Sequence, residues 1–293
     1  MTPDLRRRLE RILGSAIAQS RPLSGGNIAE CLRIVTQDGR AFAVKSMAPL
    51  AQPTDLPQAT LKDEAFMLDR LRASGKVPVP AVHHVERDLM VLELIPCDDG
   101  VAASTEQECL ADIVADLHSV TVPRYGFDRP TPVGPLQRPN DWSDTWVPFL
   151  RDRRLMFLGR LAHDAGRLPD GCLARLERLC ARLEDWIPER GAASLIHGDL
   201  WIGNILFKDR KVAALIDPAC YFADPEIELA FLTLFGGVGE AFFDRYREHR
   251  PVDPLFFQER RTLYHLEPLL AHAWFFGGGY GMRADEILIR YLE

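Results

Sequence analysis

With 293 residues, 47% of them hydrophobic and 26% charged, the chain has the balance of an ordinary soluble globular protein. Its length suffices to bury roughly three quarters of the unfolded surface, as one large domain or two lobes. A formal net charge of −7 argues against a nucleic-acid partner, and no apolar run is long enough to cross a bilayer. The cysteines (Cys31, Cys97, Cys109, Cys172, Cys180, Cys220) show neither C-x-x-C spacing nor a paired framework, which suits a reducing cytoplasm.

In chain order, residues 1–20 read as an amphipathic helix, because Glu10 and Arg11 interrupt any apolar core of a secretory leader. Leu23-Ser24-Gly25-Gly26-Asn27 is a glycine turn and 28–36 a strand. Asp38-Gly39 supplies the positive φ angles of a tight hairpin, from which 41–47 returns as an alternating strand bearing Lys45, one of only five lysines. Residues 58–74 form a helix with Leu61, Ala65, Leu68 and Leu71 on one face, and Glu64 lies off that stripe within reach of Lys45. Cys31, in the region of the glycine turn, is the cysteine to watch for redox sensitivity. Strands at 81–85 and 89–95 follow, and Pro96 ends the second.

Beyond Pro96 the pattern turns helical. Thr105 and Glu108 make a capping box for a helix that buries Leu110, Ile113, Val114 and Leu117 and ends on His118, read as a helix-terminal contact. Residues 123–139 form a long loop that borders the substrate site, and helices occupy 141–163 and 173–186. Residues 195–207 then read as strand, loop and strand, and 212–216 as a further strand ending on Asp217. Helices starting at Glu226, and at 242–249, 254–276 and 285–292, close the chain, with Gly236-Gly237 as a break. The aromatics Phe242, Phe243, Phe256, Phe257, Trp274, Phe275 and Phe276 are assigned to the core.

The chemistry concentrates in the hairpin. His197, Asp199 and Asn204 stand as H-x-D-x-x-x-x-N, the spacing by which a kinase catalytic loop supplies a base and a magnesium ligand, and Asp217 is placed for a second metal contact. Lys45, Glu64, Asp199, Asn204 and Asp217 follow the order of the protein-kinase-like fold. His197-Gly198-Asp199-Leu200-Trp201-x-Gly203-Asn204 resembles the signature of the fructosamine kinase (ketosamine 3-kinase) family, with Trp201 as the discriminating residue. Asp217-Pro218-Ala219-Cys220-Tyr221, Leu234-Phe235-Gly236-Gly237 and Phe276-Gly277-Gly278-Gly279-Tyr280 extend the resemblance over nearly the whole chain. Two positions depart from it: several members have cysteine where Asn27 stands, and Ala271 precedes His272 where the family often has asparagine.

The resemblance implies an α+β, two-lobed fold, with a small β-rich nucleotide-binding lobe at 1–95 and a larger, mostly helical catalytic lobe at 96–293. It implies ATP and Mg²⁺ as cofactors and a small-molecule or protein-bound ketosamine as substrate, phosphorylated on its 3-hydroxyl. Asp199 would be the base and Asn204 and Asp217 the metal ligands. Lys45, Glu64, Gly25, Gly26, Asn27, Glu93 and Ile95 would hold the nucleotide, the last two at the crossing between lobes. Trp201 either stacks on the sugar or packs between lobes, and His272 is either a polar contact to the substrate or a core residue. His197 is expected to shape the loop, and Glu228 to tie it down, to cap its helix or to be solvated. Alternative readings are an aminoglycoside- or choline-type phosphotransferase and a nucleotide-binding regulatory pseudokinase. A protein kinase is disfavoured because Asp217-Pro218-Ala219 replaces D-F-G.

Overall fold

The structure, a computed structural model, describes residues 1–23, 29–47, 57–98, 103–189 and 191–293. Helix α1 (Pro3–Leu13) starts where Thr2 Oγ1 accepts from the Leu5 N–H at 3.2 Å and stops at Gly14, whose φ of 66° is left-handed. The helix expected over 1–20 therefore ends early, and β1 (Ile17–Pro22) takes its last residues as an edge strand. With β2 (Glu30–Thr36), β3 (Ala41–Ser46), β4 (Val82–Val85) and β5 (Leu89–Glu93) it forms an antiparallel sheet in the order β1-β2-β3-β5-β4.

Helix α2 (Leu61–Ser74) is inserted between β3 and β4, and Asp63 Oδ2 accepts from both the Thr60 N–H and its hydroxyl, each at 2.8 Å, at the helix start. The two faces of the sheet are separated by the two-residue period of a strand. Phe42 and Val44 pack with Leu9 and Leu13 of α1, whereas Ala43 packs with Leu61, Ala65 and Leu68 of α2. Lys45 shares the parity of Ala43, so it emerges on the side of α2.

The remainder is mostly helical. Helix α3 (Ser104–His118) has Ala103 at its cap position, so the capping box expected from Thr105 and Glu108 is absent; the Thr105 hydroxyl instead accepts from the Arg210 guanidinium at 2.9 Å. The stretch expected as loop contains β6 (Thr121–Val122) and a small hairpin of β7 (Thr131–Val133) and β8 (Leu136–Arg138). Helices α4 (Trp146–Leu150) and α5 (Met156–Asp164) are joined by a π-helical turn at Arg151–Leu155, and α6 (Cys172–Cys180) ends six residues before the expected limit of 186, with a 3₁₀ turn at Leu183–Asp185.

Strand β9 (Ala193–Ile196), the hairpin β10 (Ile205–Lys208) and β11 (Lys211–Leu215), and β12 (Tyr221–Ala223) precede α7 (Glu226–Leu234) and α8 (Glu240–His249). A second π-helical turn at Phe256–Arg260 leads into α9 (Arg261–Tyr264), α10 (Leu266–Phe276) and α11 (Tyr280–Leu292), the last starting five residues earlier than expected. Of the expected core aromatics, Phe276 is exposed at 47%. Among the described residues no helix is long and apolar enough to cross a membrane.

Helix α2 belongs to both halves of the molecule. Met67, Leu71 and Val77 lie in the main core together with Leu110, Phe127 and Phe222, and Phe66 meets Phe127 edge-on at 6.0 Å beneath the Arg129 guanidinium, which is 3.7 Å from the Phe66 ring. Heat unfolding is therefore expected to be a single cooperative transition. Leu71→Ala should lower stability by about 2–5 kcal/mol and shift that transition without splitting it. Calorimetry that resolves a separate early melt of the sheet would contradict this packing.

Candidate active site

Two backbone pairings build the cleft. β10 pairs with β11, and the Ile216 N–H donates to the Asn204 carbonyl at 3.0 Å, so Asn204 and Asp217 arrive at the same end of the hairpin. The turn at the other end, Asp209-Arg210, has φ of 49° and 62°, the paired positive values of a tight hairpin. β9 pairs with β12, and the Ala219 N–H donates to the His197 carbonyl at 2.9 Å, which lays the 217–219 turn against the 197–204 loop. Gly198, at φ 81°, sits in this contact: a Cβ there would be 2.2 Å from the Ala219 carbonyl oxygen. Asp217 has φ of 57°, a left-handed conformation that aspartate tolerates at a cost and that packing must hold.

The loop is fixed from behind. The Gly198 N–H donates to Glu228 Oε1 at 2.7 Å, so Glu228 ties the loop down from α7. His118, fully buried, donates from Nε2 to Glu228 Oε2 at 3.0 Å, with its Nδ1 2.8 Å from the Tyr246 hydroxyl. The helix-end contact expected of it is therefore a buried brace, made from the last residue of α3. Burial works against the Glu228 charge, but His118, His197 and the Gly198 N–H outweigh it and hold the carboxyl below its ordinary range. Burial disfavours the charged form of His197 and lowers its pKa, and its Nδ1 accepts from the Asp199 N–H at 3.4 Å.

Asn204 donates from Nδ2 to the Asp199 carbonyl at 2.7 Å and to Asp199 Oδ2 at 3.1 Å. Its amide hydrogens are thereby committed, and the atom left for a cation is Oδ1. Burial, then the nearby Asp217, push the Asp199 carboxyl up to about 8, against the opposing Asn204 amide, Arg138 and Lys45. Lys45, 8% exposed, donates to Glu64 Oε1 at 2.7 Å and to Asp217 Oδ1. Burial disfavours the ammonium, but the attraction of the two carboxylates outweighs it and raises its pKa. The expected Lys45–Glu64 pair is therefore present, with Asp217 as a second partner.

No cluster of three or more His, Cys, Asp or Glu side chains suited to a metal occurs among the described residues. Asn204 Oδ1 and the Asp217 carboxylate form a small hard-oxygen donor set. That set fits Mg²⁺, which completes its octahedron with water and phosphate oxygens rather than a protein cage.

Trp201 covers Gly203, where a Cβ would lie 2.3 Å from the indole, and meets Phe235 edge-on at 5.9 Å. Phe235, 38% exposed, lies 5.2 Å from the His272 ring, which in turn lies 5.1 Å from Tyr280. Phe235 thus joins the two expected substrate residues into one aromatic wall, a role that sequence reasoning missed although the residue stood in a quoted motif. His272 Nδ1 donates to the Pro268 carbonyl at 2.7 Å and burial keeps the ring neutral, so Nε2 is its acceptor nitrogen.

Of the other expected nucleotide residues, Glu93 braces the sheet: its N–H donates to the Ala81 carbonyl at 2.8 Å and its Oε2 accepts from the Ala81 N–H at 3.1 Å. Ile95 lies in the irregular stretch after β5. That stretch leads to Asp98, whose N–H donates to the Phe207 carbonyl at 2.8 Å and whose carboxylate accepts from Lys208 at 2.7 Å. Gly25, Gly26 and Asn27 lie outside the described residues. Cys31 pairs in register with Lys45, but burial pushes its thiol up, which disfavours the reactive thiolate.

A carboxyl that folding lifts from its ordinary 3.8 to about 8 binds more protons in the folded than in the unfolded chain across that interval. Its contribution is fully present below the unfolded pKa and is lost as pH rises through the folded one. Asp199→Asn should accordingly raise the melting temperature of the ligand-free protein at neutral pH and flatten its decline between about pH 4 and 8; scanning calorimetry across pH checks this. Glu228→Ala leaves the Gly198 N–H and His118 without their acceptor and should cost about 1–3 kcal/mol, whereas Glu228→Gln, which keeps an acceptor for Gly198, should cost less in denaturant titration.

The sequence matches the fructosamine kinase family over residues 1–293. A "Probable ketoamine kinase" of Lactiplantibacillus plantarum is 33% identical over 279 residues, covering 94% of this chain and 95% of that protein. The chloroplastic protein-ribulosamine 3-kinase of Arabidopsis thaliana is 28% identical over 281 residues, covering 92% of this chain and 81% of that protein. Among solved structures, the "putative fructosamine-3-kinase" of Thermobifida fusca superposes with a TM-score of 0.84 at 26% identity, over 100% of this chain and 99% of the other. The aminoglycoside phosphotransferase APH(4)-Ia shares the fold alone, with a TM-score of 0.67 at 17% identity over 98% of this chain and 99% of the other. With a match spanning its whole length, the chain belongs to the fructosamine kinase family.

Proposed function

We propose that the chain transfers the γ-phosphate of ATP to the 3-hydroxyl of a ketosamine, the sugar adduct of an amine, after which the phosphorylated adduct breaks down and frees the amine. The observation that carries this reading is the convergence of Asp199, Asn204, Asp217 and the Lys45–Glu64 pair in one cleft beside the Trp201–Phe235–His272 wall.

Asp199 orients the acceptor hydroxyl and takes its proton. Lys45, aimed by Glu64, holds the nucleotide phosphates, and the residues that would hold Mg²⁺ are Asn204 and Asp217. When bound, Mg·ATP supplies the phosphoryl group and the cationic charge that neutralises it in transfer. The backbone between Glu93 and Ile95 receives adenine, with the lobes meeting at 95/96. Trp201 and Phe235 offer the sugar an apolar face, and His272 Nε2 accepts from one of its hydroxyls. The exposure of Phe235 and Phe276 supports an open acceptor mouth, in which the amine, small or protein-bound, points outward. Six cysteines without disulfide partners support a cytoplasmic setting.

The test is ADP release from Mg·ATP with fructosyl-, ribulosyl- and erythrulosyl-amines, an aminoglycoside and choline as acceptors. Turnover is expected on a ketosamine, with phosphate on carbon 3 by NMR, and should fall by about 10²–10⁴-fold in Asp199→Asn and vanish on chelation of Mg²⁺. Turnover confined to the aminoglycoside or choline would overturn the assignment.

A further inference from the structure

The β7–β8 hairpin ends in a buried arginine that no catalytic motif contains. Arg138, 3% exposed, donates to Glu267 Oε1 at 2.6 Å and to the Ala219 carbonyl at 3.2 Å, with its guanidinium 4.9 Å over the Tyr221 ring. Ala219 is two residues beyond Asp217, and its carbonyl is the atom that occludes Gly198. Glu267 lies in the first turn of α10, the helix that carries His272. One guanidinium therefore grips the metal-side turn, at its contact with the catalytic loop, and the acceptor helix.

The charge balance is uneven. Arg154, fully buried, also faces Glu267, at 3.4 Å, and donates to the Pro139 carbonyl at 2.9 Å and to Asn140 Oδ1 at 2.6 Å. Two guanidinium groups share one carboxylate, and an uncompensated buried charge is costly unless other groups answer it. Aromatic faces answer part of it, with the Arg154 guanidinium 4.0 Å from the Tyr221 ring and 4.5 Å from the Phe149 ring. The hairpin that delivers Arg138 is itself anchored. Gly134 packs so tightly on Phe275 that a Cβ would lie 2.1 Å from the ring, Gln58 bridges to Leu136, and the Gln137 N–H donates to the Pro57 carbonyl at 2.9 Å just before α2.

We propose that Arg138 is a positioning residue for phosphoryl transfer, which clamps the Asp217–Ala219 turn to α10 and so keeps the metal-binding carboxylate and the acceptor helix in one geometry. The proposal rests on the reading of Asp217 as a magnesium ligand. It makes the hairpin part of the functional unit through its grip on the turn and on α10.

The experiment compares the full chain with Arg138→Met and Arg138→Lys. Arg138→Met leaves Arg154 and Glu267 as a balanced pair, so the fold should survive; Arg138→Lys keeps the charge but cannot reproduce the two-armed grip. ATP binding is measured by calorimetry with and without Mg²⁺, and kcat and KM on whichever acceptor the wild type turns over. In Arg138→Met, kcat and the strengthening of ATP binding by Mg²⁺ should each fall by about 10–100-fold, the range for partners that orient a metal ligand, while Mg²⁺-free ATP binding stays at the wild-type level. Arg138→Lys should fall in between, at an unchanged melting temperature. Wild-type kcat and Mg²⁺ response in either variant, or losses that only track the unfolded fraction, would overturn the proposal. If Arg138→Met does not fold, Arg138→Lys decides by the same criteria. A wild type that turns over no ketosamine would defeat the proposed reaction, whereas the Mg²⁺-dependent binding would still judge Arg138.

Discussion

The cleft depends on one close approach, in which the Ala219 carbonyl occupies the place where any residue but glycine would put a Cβ at position 198. Because the two backbones touch, the 197–204 loop and the 217–219 turn cannot shift independently. Each has its own outer support: Glu228 from α7 holds the loop through the Gly198 N–H, and Arg138 from β8 holds the turn through the Ala219 carbonyl. Asp217 in its left-handed conformation is affordable only inside such a frame. The site is thus assembled by backbone contacts, and the side chains that do the proposed chemistry are placed as their consequence.

Electrostatics in the cleft are left unfinished. Glu64, Asp199 and Asp217 converge, and Lys45 is the cation among them, shared between the first and the last. Burial is the larger cause of the upward shift on Asp199, and the neighbouring Asp217 carboxylate adds to it. On the proposed reading, a divalent cation delivered with a polyphosphate is the complement, adding charge at the Asp217 end while Lys45 would meet the phosphates. The same imbalance that costs the ligand-free protein stability is what prepares it for that ligand, the usual tension between a stable fold and a working site.

Much of this was legible in the sequence because the signals were local. H-x-D-x-x-x-x-N is one loop, and the two-residue strand period puts Lys45 on the α2 side, where Glu64 is found. What was not legible came from longer range or subtler geometry. Gly14 closes α1 after one left-handed residue, and the six residues of β1 carry a single buried side chain, Ile17, too weak a pattern to read as a strand. The helical period gives no warning of the π turns at Arg151–Leu155 and Phe256–Arg260, although these carry the buried Arg154 and Arg260 into the core. Arg260 there meets Glu226 at 2.6 Å, a partner 34 residues earlier. The β7–β8 hairpin is short and rich in proline and glycine, so Arg138 looked like a loop residue until the fold brought Glu267 and Ala219 to it.

The anchoring of α2 has a consequence for control. A helix that carries the partner of the lysine proposed to hold the phosphates is a natural lever, since swinging it outward would separate Lys45 from Glu64 and, on the proposed reading, silence the site. In this chain the lever is welded: Met67 and Leu71 sit in the main core, and Phe66 lies edge-on to Phe127 with the Arg129 guanidinium over its ring. Displacing the helix would expose several fully buried apolar side chains, each worth about 1.5–3 kcal/mol, which is comparable in sum to the stability of a whole domain. Such a protein has no inexpensive off state on this axis. Its throughput would follow how much substrate it meets rather than a signal that moves this helix.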